Sequence, residues 1–178
     1  RIIDANPSGN IKAFRNPFNI GTVPNILRSF EVASGKWVLT LGDDDDMAAN
    51  AIDTILTVVA ENSDAEFIHF STLDQLKSNE RPISFNTYGS SGFIHGFDSC
   101  GALNFMSVSV WRKEFAYTNV LQAYRYAYSM SPTYIMLING LENDKKCHFS
   151  HQVIIDNAQK VDVVERWAYR EFCLGFNL

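Results

Sequence analysis

The sequence predicts an α/β domain in which a largely parallel sheet is flanked by helices. Three observations carry that expectation. Short apolar runs at residues 36–41 and 66–71 read as strands. Segments with apolar residues at helical spacing stand between and before them. The resulting strand–helix–strand–helix–strand alternation is the pattern of a sheet covered by helices. The chain has 178 residues, 46% of them hydrophobic, which is enough for one domain with a real core.

Taken in order, residues 11–14 read as a short first strand, closed by the turn-rich stretch from Asn16 to Gly21. A helix follows, with Thr22 as N-cap and Pro24 in its first turn. Val23, Ile26, Leu27, Phe30 and Ala33 recur along one face, and Gly35 stands where a left-handed C-cap belongs. Residues 36–41 then form a buried strand. Residues 51–60 form a second amphipathic helix through Ile52, Ile55, Leu56 and Val59, and residues 66–71 another strand. Residues 73–91, with Pro82 and Gly89, read as a long loop. Beyond it, residues 103–111 read as a strand in which Ser107 and Ser109 alternate with apolar neighbours. Residues 119–130 and 132–138 read as helices, 147–155 as a late strand and 161–174 as an amphipathic helix.

The 15 basic and 20 acidic residues leave a net charge of −5, with no basic stripe, so nucleic acid is excluded as the main partner. Cys100, Cys147 and Cys173 are odd in number and widely spaced. They make no disulfide framework, which points to a reducing compartment. No run approaches the roughly 20 apolar residues a membrane span needs, and no secretory signal is read.

The chemistry concentrates at Asp43, Asp44, Asp45 and Asp46, which follow the 36–41 strand with only Gly42 between. Adjacent carboxylates repel and raise one another's pKa, a cost that a hard divalent cation relieves. A solvated acidic turn is the other reading of such a run. A calcium-binding EF-hand loop is excluded, because its sixth and twelfth positions, counted from Asp43, hold Ala48 and Thr54. A P-loop is excluded because Gly35-Lys36 lacks the upstream glycine and is followed by Trp37. A haloacid-dehalogenase-type phosphatase would need an apolar residue and Thr or Val where Asp46 and Met47 stand.

What remains is an ordered pattern: Asn19-x-Gly21-x-x-x-Asn25, then Ala33-x-Gly35-x-Trp37, then Leu41-Gly42-Asp43-Asp44-Asp45. Over residues 11–47 it resembles the nucleotide-sugar half of glycosyltransferase family 2, which has the GT-A (nucleotide-diphospho-sugar transferase, Rossmann-like) fold. The LGDDD variant is most similar to the abequosyltransferase-like branch of bacterial polysaccharide biosynthesis. A weaker resemblance to the acceptor-side strand of that branch continues over residues 101–113.

The resemblance implies one GT-A-like domain over residues 1–178. Residues 1–72 would be its nucleotide-sugar and metal half, 73–91 a loop, and 92–178 the acceptor half with a C-terminal helix. It also implies a DxD motif in which Asp43 and Asp45, or in the second register Asp44 and Asp46, hold Mg²⁺ or Mn²⁺ against the diphosphate of a nucleoside diphosphate-sugar. Asn19, Gly21, Asn25, Asp43 and Asp44 would contact the donor, and His148 or His151 could add a metal ligand. The acceptor would be a saccharide or a lipid-linked sugar, which places the protein in the cytoplasm or at the inner face of a membrane. Transfer would invert the anomeric centre and need an acidic base, for which Asp98, Glu142 and Asp144 are candidates by position only. The family opens with a strand of the type VSVIIPTYN and a second strand ending in DD. Arg1 to Asn10 supply neither, so the sequence reads as N-terminally truncated. A non-catalytic GT-A-like binding or assembly domain, and a metal-dependent phosphohydrolase, are the alternative readings.

Overall fold

A computed structural model describes residues 11–43, 45–73, 75, 81, 83–95, 105–128 and 131–158. Its strands are β1 (Trp37–Leu39), β2 (Asp45–Met47), β3 (Ala65–Thr72), β4 (Phe85–Tyr88), β5 (Ser109–Arg112) and β6 (Lys146–Ala158). The helices are α1 (Thr22–Val32), α2 (Ala51–Glu61), α3 (Gly89–His95), α4 (Lys113–Arg125) and α5 (Pro132–Gly140), with a 3₁₀ turn at Met106–Val108.

The class is α/β, but the sheet is mixed rather than largely parallel. Its order is β1-β5-β3-β6-β2, with β4 also on β6. β5 runs antiparallel to both β1 and β3, β2 and β4 run antiparallel to β6, and among the described strands only β3 and β6 pair in parallel. The reason lies in what separates the co-directional strands. β1 and β3, joined through α2, do point the same way, as a strand–helix–strand unit requires. They do not touch, because β5 returns between them. Alternation along the sequence reported strand direction, and β5 decided adjacency.

Each face of the sheet is closed by its own apolar cluster. α1, α4 and α5 bring Leu27, Phe30, Ala116 and Met136 onto Phe67, Trp111 and Phe149. α2 brings Ala51, Ile55 and Val58 onto Ile68, Val110, Ile154 and Ile155. Neighbouring strand residues such as Phe67 and Ile68, or Trp111 and Val110, fall in opposite clusters, as a period of two demands.

Several local expectations need correction. Residues 11–14 form no strand. The N-cap of α1 is Gly21, at φ 86°, with no side-chain cap, and α1 ends on an extended Ala33. Gly35 is not left-handed; among the described glycines only Gly21 and Gly89 have positive φ. The 73–91 stretch is not all loop, since it contains β4 and the start of α3. The 103–111 strand is shorter and later, and α4 begins at Lys113 rather than at 119. The 161–174 helix lies outside the described residues.

Candidate functional site

β1, β3 and β6 share one direction, so their carboxyl ends form one edge of the sheet. Asp43 lies in a turn just past β1, at that edge, and is exposed. Asp45 and Asp46 then enter β2, where they pair with Ala158 and Asn157 at the far end of β6. Strand alternation divides the two: Asp45 is half-buried and Asp46 is exposed. Asp44 is outside the described residues.

The loop carrying the aspartates is pinned by a residue 60-odd positions away. Ser107 Oγ donates to Asp45 Oδ2 at 2.5 Å and accepts the Gly42 N–H at 2.8 Å. Thr40 Oγ1 adds a hydrogen bond to the Met106 carbonyl at 3.3 Å. The 3₁₀ turn before β5 thus holds both ends of the acidic loop. Hydrogen bonds to a charged acceptor are the stronger kind, so Asp45 is fixed in place rather than sampling solvent. Sequence reading passed over Ser107. The signal was partial: Ser107 and Ser109 both interrupt an apolar stretch and both are 2% exposed once folded.

Asn19, Gly21 and Asn25 come together, but as a local device. The Gly21 N–H donates to Asn19 Oδ1 at 2.9 Å, and the Asn25 N–H donates to the Gly21 carbonyl at 3.2 Å. Asn25 Oδ1 accepts from Asn16 Nδ2 at 2.9 Å. The spacing therefore encodes an Asx turn, a left-handed glycine and the first helical bond of α1.

The remaining candidates do not join the aspartates. Glu142 and Asp144 are exposed in the turn before β6, at the opposite, amino edge of β3 and β6. Asp98 lies outside the described residues. His148 and His151 lie in β6, and ten residues separate His148 from Ala158, the partner of Asp45: about 33 Å of extended chain. His148 Nδ1 donates to Asn86 Oδ1 at 2.7 Å, and burial, followed by the charges of Lys146 and Arg81, lowers its pKa to about 4. His151 Nδ1 contacts Ser84 Oγ at 2.7 Å.

Arg112 and Lys113 also sit at the amino edge. Arg112 Nε pairs with Glu66 Oε2 at 3.0 Å, and its guanidinium donates to the carbonyls of Ala65 and Ser63. It is thereby committed to the sheet. Among the described residues, no three His, Cys, Asp or Glu side chains stand together as a group that could hold a metal ion. A cation on the acidic loop would therefore rest on one or two carboxylates and complete its shell with water and phosphate oxygens, an arrangement Mg²⁺ accepts.

No protein-family model matches the chain, and no curated protein or solved structure matches it significantly. Among the described residues, no helix is long and apolar enough to cross a membrane.

Proposed function

We propose that the acidic loop at the carboxyl edge is the cation and diphosphate end of a nucleoside diphosphate-sugar site. On this reading the protein is a GT-A-like, inverting glycosyltransferase acting on a saccharide or lipid-linked acceptor. The observation that carries it is the fixation of Asp45. A carboxylate at a strand terminus, oriented by a buried serine that also anchors the preceding Gly42, is preorganised for a ligand. A solvated acidic turn needs no such clamp. The ends of parallel strands are also where ligands bind in α/β sheets.

In this scheme Asp45 and Asp43 offer carboxylate oxygens to Mg²⁺ or Mn²⁺, while Ser107 keeps one oxygen of Asp45 occupied and the other free to turn outward. The bound cation would offset charge on the leaving diphosphate. The Asn19–Gly21 turn holds the first turn of α1 in place, ahead of β1.

One observation favours a second reading, a binding domain without transfer. Glu142 and Asp144, two of the three acids considered as base, stand at the opposite edge of the sheet from Asp45. The test is release of nucleoside diphosphate from UDP-, GDP- and CDP-sugars with Mn²⁺ and a saccharide acceptor mixture. Turnover abolished by Asp45→Asn supports the transferase. Metal-dependent binding without turnover supports the binding domain.

A further inference from the structure

The amino edge of the sheet carries a concavity away from the aspartates. A groove of about 540 Å³ opens where the turn before β1 meets the first turn of α4, lined by Gly35, Lys36, Arg112, Lys113, Glu114 and Tyr117. That volume is in the range of small-molecule sites. Its charge runs against that of the chain, which is −5 overall.

The charges within it are not equivalent. Arg112 pairs with Glu66, donates to the Ala65 carbonyl and lies over the Trp37 ring at 4.8 Å, so it forms a wall. Lys36 and Lys113 have no salt-bridge partner among the described residues. Their main chains are paired, because the Lys113 N–H donates to the Lys36 carbonyl at 2.9 Å, and both residues line the groove. Tyr117, one turn along α4, is 59% exposed, and the Lys113 ammonium stands 5.8 Å from its ring centroid. An exposed aromatic ring beside the Lys113 ammonium, in a groove also lined by Lys36, suits a ligand with an anionic end and a flat or apolar body.

We propose that this groove binds a soluble phosphomonoester, with the phosphate between Lys36 and Lys113 and the organic group against Tyr117. A phosphomonoester carries close to two negative charges at neutral pH, matching the two ammonium groups. The concave shape suits a compact soluble ester rather than a flat bilayer. Glu114, exposed at the same turn, opposes the phosphate and limits affinity.

The test is titration of the whole chain with phenyl phosphate and, separately, inorganic phosphate, followed by amide NMR shifts in EDTA. Shifts should centre on residues 35–37 and 113–117. Phenyl phosphate should bind more tightly than inorganic phosphate, and Tyr117→Ala should remove that advantage. Lys36→Gln and Lys113→Gln should each weaken binding roughly three- to fivefold, and Glu114→Gln should strengthen it by a similar factor. Binding should also weaken as ionic strength rises. Shifts centred elsewhere, or an affinity unchanged in both lysine variants, would overturn the proposal.

Discussion

Ser107 and Asp45, 62 residues apart in sequence, share a 2.5 Å hydrogen bond that ties the start of β2 to the turn before β5. The same hydroxyl oxygen accepts from Gly42. Ser107→Ala removes both bonds, orphans a backbone N–H and frees the acidic loop. A loss of about 1–3 kcal/mol is expected, because one of the two bonds is to a charged group. Urea unfolding measures it, and an unchanged midpoint would show that the clamp is not held in solution.

Arg112 makes an analogous tie at the other edge, through Glu66 and the Ala65 and Ser63 carbonyls. A lysine cannot reproduce that fork of donors. Arg112→Lys is therefore expected to lower stability by about 1–3 kcal/mol, through the lost bonds to the Ala65 and Ser63 carbonyls and the weakened pair with Glu66, which keeps Lys145. Thermal unfolding of the variant checks it.

The pH profile should carry the signature of His148. Its pKa falls from 6.5 to about 4 on folding, chiefly through burial. Between those values the unfolded chain binds the extra proton and the folded one does not. Stability is thus full above pH 6.5, declines as pH falls toward 4 and levels off below. After allowance for solvent screening the effect is about 1–2 kcal/mol. Denaturation midpoints from pH 7 to pH 4 should show that decline, and His148→Gln should flatten it.

Cys147 lies wholly buried in β6, and burial, together with the Glu66 charge, pushes its thiol pKa well above the ordinary range. Only the thiolate is reactive. Brief treatment with iodoacetamide at pH 8, read by peptide mapping, should leave Cys147 unmodified in the folded protein and modify it after denaturation.

How much of this was legible depended on whether the signal was local. The bounds of α2 and β3 were readable nearly to their ends, because both segments are dense in apolar residues. The buried face of α2 was not, since Ala51, Ile55 and Val58 pack inward while Ile52 and Leu56 are exposed. α3 was not. Its sequence, Gly89–His95, holds two glycines and two serines, poor helix formers, and the helix is held by Phe93 inserted into the core. β4 is four residues that pair with β6 about 60 positions later, which no window along the chain reports. For the candidate site, the aspartates were visible as a run. Their inequality was not, because it comes from strand alternation in β2 and from Ser107. The spacing of Asn19, Gly21 and Asn25 proved sufficient to encode a turn and a helix start.

The central claim is that Asp45, held by Ser107, belongs to a cation-dependent diphosphate site. Calorimetric titration of UDP-, GDP- and CDP-sugars, each with and without Mn²⁺, tests it most directly on wild type and Asp45→Asn. The account predicts saturable binding of at least one donor only when Mn²⁺ is present, lost in Asp45→Asn. Absence of Mn²⁺-dependent binding for every donor, or binding that survives Asp45→Asn unchanged, would contradict it.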